Sequence, residues 1–380
     1  MNIEVVKSDK TNKVPMQITS RPANKITNQI TDQIISHAAD KDSKKLLLKT
    51  GLSPGDVLMM TAAVRDLKTG HPEYQIGIKT TAMDIWENNP HITKLDESDP
   101  SVRVLKMEYP LIHKSNTGPF HFINGYRMFL EDALDIKIPA GEFKGDIHLS
   151  PLEKSWKSQI EEMKIDDDFW VLMAGGKYDF TAKWWNPIEI QKVVDHFRGK
   201  ILFAQCGEAG HFHPQLNGTL NLVGKTNTRQ FIRLIHHSAG VLCPVTFAMH
   251  LAAAVPIRKG RPLNRACVVW AGGREPAQWE AYPHHRFLST NGALRCCDNG
   301  GCWKSRCMTV GDGDVKDKEK LCVFPTEIDY KIKMPKKDKE ENLQIAKCLD
   351  MIKAEDVIKA IEMYYIGGAL QYKCKTIIEN

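Results

Sequence analysis

From about Lys45 onward, hydrophobic and polar positions fall into a regular alternation of short apolar runs and helically spaced ones. Leu46, Leu47 and Leu48 form a run short enough for a buried parallel strand. Gly51, Pro54 and Gly55 break it, and residues 57–67 resume with helical spacing. The pattern then predicts a strand over 74–80, a helix over 82–88, a strand over 102–107 and a helix over about 122–134. A helix over 151–163 and the acidic run IDDD lead into a second series. Its strands are expected at 169–174, 201–206, 220–223, 241–244 and 267–271, with helices at 187–197, 228–237 and 246–255. Strands and helices alternating across short connections predict an α/β protein of two doubly wound, Rossmann-like domains facing across a cleft.

The expected divisions are an N-terminal arm over 1–40, a first domain over 41–150 and a second over 151–290. A cysteine-rich segment over 291–350 and a C-terminal helix within 351–380 follow. That helix carries Val357, Ile358, Ile361 and Tyr365 along one side, so it needs a surface to cover, on the first domain or on another subunit of a homo-oligomer.

Composition narrows the class. A chain of 380 residues with 42% hydrophobic content can fill two cores. Its net charge of +6 is spread out, and no nucleic-acid motif accompanies the Lys/Arg pairs near 257–265 and 334–339. No apolar run approaches the roughly 20 residues of a membrane span, and the N-terminus has no signal-peptide core. The expectation is a soluble cytoplasmic protein.

Ten cysteines without an export signal argue against a disulfide scaffold. Cys206, Cys243 and Cys267 lie in apolar runs and read as small buried hydrophobes. Cys296, Cys297, Cys302, Cys307, Cys322 and Cys348 instead crowd a Gly- and charge-rich region, where metal binding is the natural reading.

Several motifs can be set aside. GTLNLVGKT has five residues between its glycines, where a phosphate-binding P-loop needs four. His211 and His213 lack a third ligand nearby, and the adjacent pairs His236-His237 and His284-His285 diverge on regular elements. Neither a Gly-x-Ser-x-Gly elbow nor a His-Glu-x-x-His pattern occurs.

The remaining features fit one chemistry. Asp56 stands where the first turn becomes a helix. It can cap that helix, and it also sits at the carboxyl edge of a parallel sheet, where open α/β folds bind ligands. AGGKYDFTAKWWNP supplies a Gly-rich turn with Lys177, Thr181 and Lys183, suited to a diphosphate. CPVTFAMHLAAAV supplies a second helix start at Thr246, with His250 one turn on. Glu208 is a candidate for ribose hydroxyls. His113, Asn116 and His121 flank a first-domain loop that could hold an acceptor.

Over residues 45–256, GDVLMMTAAVRDL, HPEYQIGIKT, ENNPHITKL, AGGKYDFTAKWW and LVGKTNTRQFIRLIHHSAGVLCPVTFAMHLAAA resemble glycosyltransferase family nine, the ADP-heptose heptosyltransferases. The resemblance implies a GT-B architecture and inverting transfer from a nucleotide-diphosphate sugar. It places a general base at Asp56, a donor-phosphate contact at Lys183 and donor-site groups at Thr246 and His250. The chain departs from the family at Val245 and Phe247, where the family keeps Asp and Gly, and this leaves the donor sugar open.

TAAVRDL, YPLIHKSN, PFHFINGY and CPVT resemble the autotransporter heptosyltransferase branch, which carries a four-cysteine iron site. That implies structural iron, with zinc as the alternative, on Cys297, Cys302, Cys322 and Cys348, where Cys296 or Cys307 can replace a neighbour. It leaves the acceptor as a protein Ser/Thr, a sugar or a small molecule. No Asp-x-Asp pattern demands a catalytic metal. The rival reading is a catalytically silent nucleotide-sugar-binding or scaffold protein, motivated by the missing Asp.

Overall fold

The computed structural model describes residues 43–108, 120–297 and 301–378. The N-terminal arm, His113 and Asn116 lie outside the described residues.

The first sheet is wholly parallel, in the order β2 (Gln75–Thr80), β1 (Lys45–Thr50), β3 (Val102–Lys106). Between β1 and β2 runs α1 (Pro54–Gly70), started by Ser53 and Pro54 and buried on every side from Val57 to Val64. Against it lies α2 (Phe122–Leu134), whose N-cap is His121 and whose last turn closes with Asp135 in the left-handed region at φ 53°.

The second sheet has six parallel strands, built from β4 (Phe169–Leu172), β5 (Leu202–Gln205), β6 (Leu220–Asn221), β7 (Gly240–Pro244), β8 (Ala266–Gly272) and β9 (His285–Ser289). Their order is β6-β5-β4-β7-β8-β9. Its main helices are α3 (Pro187–His196), α4 (Thr228–His237) and α5 (Phe247–Ala254). Side chains alternate between two cores, as the strand period requires. Phe169, Val171, Cys267 and Val269 face a core shared with Leu46, Val57 and Met59 of the first sheet's unit. Trp170, Leu172, Val268 and Trp270 face the opposite side. A hairpin, β10 (Pro325–Lys333) with β11 (Glu340–Ala346), and α6 (Ala354–Ile366) complete the chain.

Four local expectations are corrected. The helix expected over 82–88 is a 3-10 turn, Met83–Trp86, because Asn88 takes φ 61° and Pro90 follows. The helix expected over 151–163 is two pieces, Pro151–Ser155 and Gln159–Glu162, each with its own Ser-x-x-Glu capping box. The region over 291–350 holds, besides its cysteines, a hairpin for which no strands were expected: Ile328, Ile332, Leu343 and Ile345 bury a small core with Trp184 and Phe212. The C-terminal helix α6 packs on the second sheet and not on the first unit; Val357, Ala360 and Ile361 enter the outer core of that sheet, and the Tyr365 hydroxyl accepts from Trp170 Nε1 at 3.0 Å. Cys206, Cys243 and Cys267 are fully buried. No helix among the described residues is long and apolar enough to cross a membrane.

Candidate functional site

The start of α1 is fixed by local chemistry. Asp56 Oδ2 accepts from the backbone N–H of Ser53 at 3.1 Å, the reciprocal half of a capping box. Asp56 therefore caps this helix start. Gly55 lets the two helix starts approach closely. A Cβ there would lie 3.1 Å from Cδ2 of His250 and 3.8 Å from Cα of Phe247. The starts of α1 and α5 thus meet directly, which brings the two sheets' units together at the Asp56 and His250 turns.

His250 is buried and held on both sides: Nδ1 lies 2.8 Å from the Tyr282 hydroxyl, and Nε2 lies 3.5 Å from Glu280 Oε2. Tyr126 of α2 completes this seam. Burial, reinforced by the Asp56 and Glu280 charges, pushes its phenol well above the ordinary range. His121 is buried in the same cluster, its ring 5.5 Å from that of Tyr282, and Nδ1 accepts from the Ile123 amide at 3.1 Å. Burial, with His250 adding, pulls the pKa of His121 down to about 3, so the ring is neutral. Glu280, Tyr282 and Tyr126 were not singled out from the sequence. Glu280 and Tyr282 lie in the WEAYPHH run after Pro276 and Tyr126 ends PFHFINGY, and the sequence offers no spacing that links either run to Asp56.

Lys183 ends the 3-10 segment Tyr178–Lys183 and crosses to the start of α5, donating to the Val245 carbonyl at 3.2 Å. Its ammonium also pairs with Glu275 Oε1 at 2.9 Å. Glu275 is buried and hydrogen-bonded to Arg274 as well. Burial opposes its charge, but Arg274 and Lys183 outweigh that and hold the carboxyl below its usual range. Thr246 sits beside this pair as the N-cap of α5, in extended backbone. Lys183, Thr246 and His250 are thus gathered around one helix start.

Other predicted donor residues fall elsewhere. Thr181 is fully buried, and its hydroxyl accepts from the Cys307 amide at 2.7 Å and from that of Met308. It ties the C-terminal segment down. In the Gly-rich turn, the Gly176 amide donates to the Phe212 carbonyl at 2.9 Å and the Phe212 amide donates back to Gly176 at 3.1 Å. Lys177 is exposed. Glu208 is exposed too, with His211 Nε2 at 3.6 Å.

The C-terminal thiols converge. Cys296, Cys297, Cys302, Cys322 and Cys348 line one cavity of about 20 Å³, enough for one water-sized sphere. Cys307 is buried, is absent from that lining and is hydrogen-bonded to Cys322. A Cβ on Gly273 would reach within 3.2 Å of Cys297 Sγ, so the glycine makes room for the cluster. Cys297 Sγ already accepts from the Gly292 amide at 3.2 Å and donates to the Leu294 carbonyl at 3.0 Å. Among the described residues no three of these sulfurs lie all within 4.8 Å of one another. A tetrahedral thiolate site has edges of about 3.8 Å, from a metal–sulfur bond of about 2.3 Å, so the thiols would draw inward around an ion. Burial pushes the Cys348 and Cys296 thiols up to about 11. The hydrogen bond with Cys307 lowers Cys322 to about 7.

This α/β fold of parallel sheets is one that known glycosyltransferase structures share. A glycosyl transferase family 9 protein of Veillonella parvula is similar at TM-score 0.54 and 14% identity, over 87% of this chain and 99% of that one. The iron-containing dodecameric glycosyltransferase TibC of enterotoxigenic E. coli is similar at TM-score 0.57 and 14% identity, over 87% and 78% of the two chains. TibC in complex with ADP-D-beta-D-heptose matches equally well, at TM-score 0.57. No family model matches the sequence, and no curated protein matches it either.

Proposed function

We propose that the protein is an inverting GT-B glycosyltransferase that moves a sugar from a nucleotide-diphosphate donor, ADP-heptose, to an acceptor hydroxyl. The observation that carries this reading is the meeting of the Asp56 helix start with the His250 and Lys183 helix start, on a fold shared with heptosyltransferases. The acceptor side falls to residues 41–150, with His113, Asn116 and His121, and the donor side to residues 151–290.

In this reading Asp56 accepts the proton of the acceptor hydroxyl as that oxygen attacks the anomeric carbon from the face opposite the diphosphate. The bond to the diphosphate breaks as the new glycosidic bond forms, and the configuration inverts. The amino end of α1 is a favourable place for the negative charge that this role needs. Charge gathering on the departing diphosphate is met by Lys183, by the start of α5 at Thr246 and by the exposed Lys177. Glu275 and Arg274 hold Lys183 in place until the phosphates arrive.

The cysteine cavity is read as a structural iron site, with zinc as the alternative. Its ligands are drawn from Cys302, Cys322, Cys348 and one of the adjacent Cys297 and Cys296. Its chemistry is a thiolate clip that fixes the C-terminal segment. Cys296 competes for the fourth place because Cys297 Sγ is already hydrogen-bonded on two sides. Fresh protein is expected to carry close to one iron or zinc per chain. Elemental analysis finding less than about a tenth of that speaks against a tight structural site.

The enzyme reading is tested with ADP-heptose and other nucleotide sugars, following nucleotide release. Asp56→Ala is expected to lower release by about 10²–10⁴-fold, the usual worth of a general base, and Lys183→Ala by about 10²-fold. One observation favours a silent binding protein: the pairing of the half-buried Lys183 with the buried Glu275, beside a Val245 that offers no carboxylate. Binding of the donors without turnover of any of them selects that alternative.

A further inference from the structure

A second cluster of ligating groups lies apart from the cysteines and from the α1–α5 seam. His91, Asp146 and His148 each offer one ligand atom within 4.8 Å of the others. His148 Nε2 lies 2.8 Å and His91 Nε2 3.6 Å from the same oxygen, Oδ2 of Asp146. Asn89 Nδ2 approaches that oxygen at 3.3 Å. Three polar nitrogens therefore crowd a single carboxylate oxygen. Bonds of about 2.0–2.2 Å to one ion put ligand atoms about 3.0–3.5 Å apart, and the two distances to Asp146 Oδ2, 2.8 and 3.6 Å, bracket that range.

The groups are held from behind. The Asp146 amide donates to Thr61 Oγ1 of α1 at 2.7 Å. The His148 carbonyl accepts from Arg229 Nη2 of α4 at 3.0 Å. His91 is placed by an Asx turn in which its amide donates to Asn89 Oδ1 at 2.9 Å. Both rings remain partly open to solvent, 23% for His91 and 30% for His148, so an ion and its waters have a way in. Arg65 and Lys68 on α1 are the cations within Coulombic reach. Each is held elsewhere: Arg65 by Asp66 and the Glu142 and Lys144 carbonyls, Lys68 by the Pro72 and Tyr74 carbonyls.

We propose that His91, Asp146 and His148 bind a divalent first-row transition ion, with water completing its coordination. Two imidazoles and one carboxylate are a ligand set for zinc, cobalt or nickel rather than for calcium or magnesium. The ion would pin the loop after β2 to the chain leading into Ser150–Glu153, whose Glu153 is paired with Arg229 at 2.9 Å. Its role is to brace the junction between the two sheets' units, and it is independent of the glycosyl-transfer reading.

The test uses the tag-free full chain and Co²⁺, which reports its ligands by absorption. Nitrogen and oxygen ligands give weak visible bands, whereas thiolates add intense near-ultraviolet charge transfer. The His91→Ala/His148→Ala variant is expected to bind one equivalent of Co²⁺ fewer than the parent by elemental analysis. It should lose the weak visible bands and keep any thiolate charge transfer. Asp146→Asn, which preserves size at the crossing, is expected to weaken uptake by about tenfold or more, and it decides the matter if the histidine variant does not fold. Equal cobalt content and an unchanged spectrum in a folded variant overturn the proposal.

Discussion

The α1–α5 seam and the segment after Gly301 are held to the same second sheet by opposite means. At the seam, apolar packing does the positioning. Val57, Met59, Ala248 and Leu251 enter one core, and the polar groups Asp56, His250 and Glu280 ride on helices fixed by it. In the later segment, polar clamps do much of the positioning. Arg306, whose side chain is fully buried, binds Asp312 by two hydrogen bonds of 2.9 and 2.8 Å, Asp317 at 2.5 Å and Asp179 at 2.6 Å. Thr181 adds its two amide contacts, and the thiols gather beside them. The difference teaches that a chemical site can stand on a core that hardly depends on it. A segment whose own apolar core is small instead leans on buried charge pairs for part of its placement.

Breaking the clamp should show this most strongly. Arg306→Ala leaves three aspartates without their common partner and is expected to cost about 3 kcal/mol, near the low end for buried pairs because two of the three carboxylates are partly exposed. Denaturant unfolding checks the loss, and proteolysis should cut first after residue 300. A variant with unchanged stability would show that the hairpin core alone holds the segment. Thr181→Val strands the Cys307 and Met308 amides and should cost about 1–3 kcal/mol, read as a lower denaturation midpoint. Donor binding that survives in this variant would confine Thr181 to the clamp; selective loss of binding in a stable protein would return it to the donor site.

The smallest expected effect sharpens the seam. His121 has a pKa of about 3 in the fold, below the about 6.5 of a free histidine, so the unfolded chain binds the extra proton first. Its contribution to stability is full above about pH 6.5 and is lost as the pH falls towards 3. His237, held at about 4 by burial, acts in the same direction. His121→Asn keeps an N-cap acceptor and removes the titration, so its melting temperature should fall less steeply from pH 7 to pH 5 than the parent's. Identical slopes would contradict the buried, neutral placement of His121.

Much of the frame was legible in the sequence because apolar periodicity carries it. The runs around Leu46–Leu48 and Val57–Leu67, and the helices at 122–134 and 228–237, stand where their patterns put them. The double capping box at Ser150–Glu153 and Ser158–Glu161 was equally readable and would have split the helix expected over 151–163. The β10 strand was legible too, although no strand was expected there: Thr326, Ile328, Tyr330 and Ile332 alternate with the exposed Glu327, Asp329, Lys331 and Lys333, the pattern of a half-buried strand. Glu280, Tyr282 and Glu275 could not be tied to Asp56, His250 or Lys183, because only the tertiary fold brings them together. The same holds for His91 with Asp146 and His148, which are separated by more than fifty residues.

The central claim is that Asp56 does chemistry as well as capping. Asp56→Asn keeps a side-chain oxygen to accept the Ser53 amide while removing the basic carboxylate. The decisive measurement follows ADP release from ADP-heptose together with donor affinity, in the parent and in this variant. The account predicts unchanged stability and donor affinity with turnover lowered by about 10²–10⁴-fold; turnover at the parent's rate would contradict it.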